Sequence, residues 1–385
     1  MAEAATAGSV PTAAAGSVPM VAPALPDGLD TPALVVDLDI VERNAARLAN
    51  EMAARGIALR PHAKTHKSPE LGRIQLERGA RGLTVGNLGE AEVFAEAGCL
   101  DLFIAYPIWA VGAKASRLRA LHEVSALDLA VGIDSIDGAE QLARAVAGVA
   151  RRLPVMLELD PGNRRTGARP DRAGEIAAAA RAAGLEVRGI FTHGGHGYAS
   201  REATEAAGAD EVLALTTGRD ALRAEGVEAQ VISAGSTPTQ YSAARSPVTE
   251  MRPGTYLLGD RQQWALGAQP SDGLAAVIAA TIVSTAVDGQ IVLDAGAKAL
   301  TKDVAPYLAG HGALPAYPDL VIERVSDYHG VVRVPEGSPR PALGDVVAIV
   351  PNHICPVVDL RDSFVVTRDG TPVGVWPVTA RGRSG

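Results

Sequence analysis

Short apolar runs alternate along most of this chain with segments whose apolar residues recur at helical spacing. Ala33 to Leu38 reads as a strand. A helix from Asp39 to Arg55 is predicted after it, with Asp39 as its cap and Gly56 as its stop. From Ile57 the alternation becomes regular. Strands are predicted at 57–60, 83–85, 102–106, 127–133, 154–159, 187–192, 230–233 and within 248–258. Helices are predicted from Ser68, over 88–97, near 113–122, over 136–150, 170–183 and 201–224, and as a short stretch after Ser233. Strands separated by helices pair in parallel through right-handed crossovers, and eight such strands with seven helices between them predict a closed (β/α)8 barrel. An open doubly wound sheet is the alternative. It is disfavoured because no Gly-rich dinucleotide fingerprint follows the first strand.

After about residue 265 the long helices stop. Strand-like runs at 275–284, 290–293, 320–325, 330–334, 346–350 and 364–366 are punctuated by turn signals such as Asp288-Gly289 and Asp369-Gly370. The expected organisation is a leader over residues 1–27, a barrel over 28–265 and an all-β C-terminal domain over 266–385. The leader is rich in Ala, Gly, Pro, Ser and Val, lacks the basic start of a secretory signal, and is expected to be disordered.

Composition narrows the function classes. With 47% hydrophobic and 21% charged residues, the 385-residue chain can bury a sizeable core. A net charge of −8 without basic runs argues against nucleic acid as a partner. No uncharged apolar stretch is long enough to span a membrane. Cys99 and Cys355 are the only cysteines, which excludes a disulfide framework and suits a reducing, cytoplasmic location.

Barrel active sites lie at the C-terminal ends of the strands, so polar residues there are the candidates. The first strand ends in Arg60-Pro61-His62-Ala63-Lys64-Thr65-His66-Lys67. A lysine in a partly dry barrel mouth can act as a nucleophile toward carbonyls or hold pyridoxal phosphate as a Schiff base. A solvated basic loop is the plainer reading. The fifth strand ends in Glu158-Leu159-Asp160 and leads to Arg164 and Arg165, which can donate to an anionic oxygen. The sixth leads into Thr192-His193-Gly194-Gly195-His196, and the seventh into Gly235-Ser236-Thr237. Glycine and hydroxyls ahead of a helix start can cradle a phosphate. In Pro351-Asn352-His353-Ile354-Cys355, an extended backbone would turn His353 and Cys355 to one side, where nitrogen and thiolate favour zinc. Each of these signals is weak alone.

Together they resemble the fold-type III pyridoxal phosphate enzymes, and within them the D-threonine aldolase and D-serine dehydratase group, over about residues 29–375. The most specific element is Arg60 to Lys67. The resemblance implies that Lys64, ahead of Lys67, holds pyridoxal phosphate and that Arg165 donates to its phenolate oxygen. It further implies that His193 lies near the ring, that Gly235, Ser236 and Thr237 bind the phosphate, and that Tyr256 of Arg-Pro-Gly-Thr-Tyr is close to the cofactor. Asp327-Tyr328-His329-Gly330 resembles a family segment with two acids before His-Gly. Tyr328 replaces the second acid, which weakens a catalytic role for His329. His353 and Cys355 match the metal ligands, with zinc expected and manganese the second choice. The resemblance also implies a homodimer, and assigns the strand at 33–38 to the β domain.

The implied activity is a lyase acting on D-3-hydroxy amino acids. Loss of the β-hydroxyl gives a 2-oxo acid and ammonia, as for D-serine or D-threo-3-hydroxyaspartate. Cleavage of Cα–Cβ gives glycine and an aldehyde. His-x-Cys leans toward the dehydratase and His-x-Asp toward the aldolase. An amino-acid racemase, a metal-free cofactor carrier and a sugar-binding barrel are the competing readings. The β domain argues against the carrier, and the lysine motif against the sugar-binding barrel.

Overall fold

The computed structural model describes residues 19–385. Strand β1 (Ala33–Asp37) feeds α1 (Leu38–Ala53), which starts a residue earlier than expected. The cap is Asp37, not Asp39: its Oδ1 accepts the N–H groups of Asp39 at 2.9 Å and Ile40 at 3.1 Å.

The barrel strands are β2 (Ala58–Leu59), β3 (Leu83–Val85), β4 (Asp101–Pro107), β5 (Asp128–Ile133), β6 (Pro154–Glu158), β7 (Glu186–Phe191), β8 (Val231–Ala234) and β9 (Glu250–Met251). All their pairings are parallel, in the order β2-β9-β8-β7-β6-β5-β4-β3. A parallel bridge between His62 and Thr84 carries the first strand's end onto β3, so the sheet curls back on itself. Between the strands run α2 (Pro69–Glu77), α3 (Leu88–Glu96), α4 (Ala113–Glu123), α5 (Ile136–Ala145), α6 (Ala173–Ala182) and α7 (Arg201–Ala224). The expected seventh helix is absent among the described residues. Residues 236–247 form turns, in which the Thr239 hydroxyl takes the Ser236 N–H at 3.0 Å. Ser and Thr side chains that bond nearby backbone compete with helix formation in this way.

The remaining elements are α8 (Arg261–Ala265), β10 (Ala276–Ser284), β11 (Gln290–Leu293), α9 (Ala297–Leu300), β12 (Val321–Val325), β13 (Gly330–Arg333), β14 (Val346–Ile349), α10 (Ile354–Asp359), β15 (Ser363–Arg368) and β16 (Thr371–Pro377). The strands form a second sheet in the order β12-β13-β11-β10-β1-β15-β16, with β14 also on β10. In it β1 is antiparallel to β10 and parallel to β15. The disordered leader expected over 1–27 lies, for residues 1–18, outside the described residues. Beyond them the expectation fails, because Met20, Ala22 and Leu25 pack against Val35, Leu274 and Val277 of this second sheet. No helix among the described residues is long and apolar enough to cross a membrane.

Inside the barrel, Phe103, Ala130, Met156, Phe191 and Val231 form a plug, with Phe103 and Phe191 edge to face at 5.0 Å. Below it the Arg60 guanidinium donates to Glu250 at 2.8 Å and also pairs with Asp101. Glu250 is 2% exposed, so Arg60→Met leaves a buried carboxylate without its cation. The expected cost is about 3–5 kcal/mol, measured as a fall in unfolding free energy by denaturant titration. An unchanged midpoint would show that the pair contributes nothing to stability.

Candidate active site

Lys64 sits in a single 3-10 turn, Ala63–Thr65, that Pro61 and His62 introduce. The His62 imidazole Nδ1 accepts the Lys64 N–H at 3.3 Å. Ala63, Thr65 and His66 are completely buried, so Lys64 is the side chain this turn delivers into the mouth of the barrel. There it lines a cavity together with Arg165, His193, Gly235, Ser236 and Thr237. The Lys64 side chain is exposed to this cavity, yet the protein around it still disfavours its charge. Burial pushes its pKa down; the Cys355 charge opposes this, and Arg165 reinforces it.

Lys67 does not share this space. It is 7% exposed, and its ammonium lies 2.6 Å from Asp359 and 3.7 Å from Glu90. His66 is turned away as well. Its Nδ1 accepts from Ser68 N–H at 3.1 Å, which leaves Nε2 to donate to Gln75 Oε1 at 3.1 Å. Burial pushes its pKa down to about 4, so it is a neutral structural histidine.

Arg165 is carried by a loop that folds on itself. Asp160 Oδ1 accepts the N–H groups of Gly162 and Arg164, each at 2.9 Å, and Leu159 bridges to Ala168. Behind Arg165 lies Glu158, 2% exposed, with Oε1 bonded to Thr166 at 2.8 Å and 3.8 Å from the guanidinium. Burial pushes the Glu158 pKa up, opposed by Thr166 and Arg165. His193 follows β7. Burial, then the Lys64 and Arg165 charges, hold its pKa far below the usual imidazole range, so the ring is neutral.

The cradle after β8 is built differently from the expected helix start. No helix follows it, the Gly235 N–H is already taken by Glu211 Oε1 at 2.9 Å, and Ser236 N–H by Thr239. What faces the cavity is Ser236 and Thr237, with Gly254 and Thr255 after β9. Gly235 has φ +93, and a Cβ there would meet Met251 Sδ at 2.2 Å, so the chain passes where only glycine fits.

Two expectations from the sequence are corrected. Tyr256 is not on the cavity wall: it is 1% exposed, and its hydroxyl accepts from Gln75 Nε2 at 3.0 Å. Only its backbone N–H serves the site, donating to the Thr237 hydroxyl at 3.1 Å. His329 is exposed in the turn between β12 and β13, away from the cavity of its own chain. Sequence reasoning also gave no role to His62, Tyr198 and Arg252, which line the cavity. Arg252 is 5% exposed, donates to Ser233 and Thr192, and stands 5.2 Å over the Phe191 ring. Its motif, Arg-Pro-Gly-Thr-Tyr, had drawn attention to the tyrosine instead.

His353 and Cys355 do not line this cavity themselves; Cys355 lies just behind its wall. The two do not share a strand: His353 is the extended N-cap of α10, and Cys355 lies in the first turn of that helix. The two side chains are nevertheless close enough for each to shift the other's charge. Cys355 Sγ is 3.3 Å from Thr65 Oγ1 and 3.8 Å from Thr255 Oγ1, and both threonines line the cavity. Burial disfavours charge on either partner. Their mutual attraction outweighs it, so His353 is pushed up and the Cys355 thiol down, with Asp260 favouring the imidazolium and Thr65 the thiolate. No group of three or more His, Cys, Asp or Glu side chains suited to a metal occurs among the described residues. A metal here would have this N,S pair and open positions.

The residues present fit both groups. The cavity wall carries Lys64, Arg165 and Arg252 and no Asp or Glu among the described residues, which suits an anionic cofactor. The glycine at 235 lets the backbone of this loop pass close to buried Met251. The imidazole and thiolate suit zinc.

The alanine racemase N-terminal domain matches residues 36–262, and a putative serine dehydratase domain matches 275–367. The chain is 33% identical to a D-threonine aldolase of an Arthrobacter species, over 92% of this chain and 94% of that one. It is 32% identical to the D-threo-3-hydroxyaspartate dehydratase of Delftia sp. strain HT23, over 85% and 91%. A cysteine-to-alanine variant of that dehydratase has been solved in a metal-free form, with 29% identity, TM-score 0.83 and coverage of 91% and 97%. The crystal structure of the Filomicrobium marinum D-threonine aldolase superposes with TM-score 0.83 and 30% identity, covering 94% of this chain and 99% of that one. The chain therefore belongs to the alanine racemase N-terminal domain family, in the branch that joins this barrel to a serine dehydratase-type domain.

Proposed function

We propose that this protein is a pyridoxal phosphate- and metal-dependent lyase of D-3-hydroxy amino acids, and that it eliminates the β-hydroxyl. The observation that carries the reading is that Lys64 lines a cavity whose Thr65 and Thr255 are in contact with Cys355, which places the His353–Cys355 pair directly beside it. When bound, pyridoxal phosphate on Lys64 supplies an electron sink for charge developing at the substrate Cα, and zinc on His353 and Cys355 supplies a Lewis acid for the β-hydroxyl.

The chain's own groups do the rest. The Lys64 amine, its pKa pushed down, is available in its neutral form to take a proton. Arg165 donates to an anionic ring oxygen and is braced from behind by Glu158. His193, held neutral, offers an acceptor beside the ring. Ser236, Thr237 and Thr255 donate to the phosphate. The substrate loses a Cα proton and its β-hydroxyl as water, and the released enamine takes up water to give a 2-oxo acid and ammonia.

The cysteine favours the dehydratase, in line with the similarity to a D-threo-3-hydroxyaspartate dehydratase whose cysteine-to-alanine mutant is known in a metal-free form. The similarity to the Arthrobacter aldolase favours the alternative, cleavage to glycine and an aldehyde. D-Threonine discriminates between them. The cofactor- and zinc-loaded protein is expected to give 2-oxobutanoate and ammonia in equal amounts. Glycine and acetaldehyde would establish the aldolase instead, and D-to-L interconversion without either would establish a racemase. The proposed organisation is a barrel over 28–265 and a β domain over 266–385 that includes Ala33 to Leu38. The proposed assembly is a homodimer, in which exposed His329 acts at the site of the second copy.

A further inference from the structure

The His353 ring is held by a second side chain. Asp303 Oδ2 lies 2.8 Å from His353 Nδ1 and accepts its N–H, leaving Nε2 for a metal. Asp303 is fifty positions away in sequence, and the loop that carries it is fixed at three points. Asn352, the residue before His353, donates through Nδ2 to Asp303 O at 3.0 Å and to Gly310 O at 2.8 Å. The Arg261 guanidinium donates to Asn352 Oδ1 at 3.2 Å and also to Gly312 O at 3.1 Å. The Thr301 hydroxyl accepts the Asp303 N–H at 3.1 Å.

Thr301 itself has φ 67 and ψ −176 and is 9% exposed. A β-branched residue at positive φ is an outlier that the surrounding structure must hold in place. That strained residue ends α9 and turns the chain so that Asp303 faces His353. On the other side, Asp260 Oδ2 accepts the Ile354 N–H at 3.1 Å, so the backbone around the ring is held as well.

We infer that Asp303 is a positioning residue for the metal site: it fixes the tautomer and orientation of His353 and raises its strength as a ligand. The inference rests on the proposed metal dependence. Histidine ligands whose second nitrogen donates to a carboxylate are pre-aimed and more basic, and loss of such a partner weakens metal binding by about 10- to 100-fold. Asp303 touches no reacting atom in this arrangement and acts through His353.

The test is zinc affinity by competition with a chromophoric chelator on the pyridoxal phosphate-loaded chain. Asp303→Ala is expected to bind zinc about 10- to 100-fold more weakly than wild type. Asp303→Asn, which keeps an acceptor oxygen, should recover much of the loss. Cofactor content and the melting temperature of the zinc-free protein should stay unchanged in both. Zinc affinity of Asp303→Ala equal to that of wild type would overturn the inference while leaving the metal reading standing. A fall in zinc-free melting temperature, with no rescue by Asn, would overturn it in favour of a structural role for the loop. Failure of the wild-type chain itself to bind zinc would remove the metal reading and this inference together.

Discussion

Lys64→Ala is expected to lose the visible absorbance of bound pyridoxal phosphate and to lower activity by at least 10²–10⁴-fold, roughly the range a positioned proton-transfer group supplies. Lys67→Ala is expected to keep both. The two lysines stand three residues apart in one basic motif, yet their surroundings are opposite. Lys64 faces an acid-free cavity with its pKa pushed down by burial. An amine there is available to a carbonyl. Lys67 is held between Asp359 and Glu90, and these ion pairs keep its side chain out of the cavity. Its replacement should be felt in folding instead. Removing the cation leaves Glu90, 2% exposed, without its partner, and loosens α10 from the cofactor turn. A loss of about 3 kcal/mol is expected, the low end for breaking a buried pair, because the Asp359 side chain is 42% exposed. Spectra and denaturant titrations of both variants separate the effects. Retained cofactor absorbance in Lys64→Ala with loss in Lys67→Ala would exchange the roles.

The barrel was legible because parallel strands buried on both faces read as unbroken apolar runs between amphipathic helices. Leu102 to Ile104, completely or almost completely buried, is such a run. What misled the reading were places where side chains replace backbone regularity. Asp37 and Asp39 are equally good caps on paper, and only the pairing of β1 with β10 and β15 fixes where the helix can begin. After β8, Ser236, Thr237 and Thr239 read as a helix start. Instead the Thr239 hydroxyl takes the Ser236 N–H, and the backbone turns.

The site residues were legible as types more than as contacts. The motif ending in Tyr256 marks the right loop, but a sequence does not say whether a residue serves through its side chain or its N–H. Here the phenol is buried against Gln75 and the N–H braces Thr237. His353 and Cys355 were paired on the premise of an extended strand. The chain brings them together as cap and first turn of α10. Asp303 gave no signal at all, because its relation to His353 depends on a strained threonine and on an asparagine that ties two distant loops.

Cys355→Ala is expected to empty the metal site and stop elimination while leaving the cofactor in place. The cysteine supplies one of two donors, so the loss of zinc affinity should exceed the roughly 100-fold that removing an outer partner costs. The cofactor groups are on other elements: Lys64 on the turn after β2, Arg165 on the loop after β6, Thr237 after β8. Cys355 touches them only through the hydroxyls of Thr65 and Thr255, at 3.3 and 3.8 Å, and a methyl group fits where the sulfur was without crowding either. Metal analysis and the visible spectrum therefore give opposite answers for this variant, zinc absent and absorbance present. Activity decides what the metal is for. The hydroxide leaving from the β-carbon is a poor leaving group, and the cavity wall offers no carboxylic acid among the described residues to protonate it. His193 is held neutral and Tyr198 is pushed far above its ordinary pKa, chiefly by burial, so neither is a strong acid at neutral pH. A Lewis acid on His353 and Cys355 fills that gap. Full turnover of D-threonine by zinc-free Cys355→Ala would mean that one of these side chains delivers the proton unaided, and the metal would drop out of the reaction.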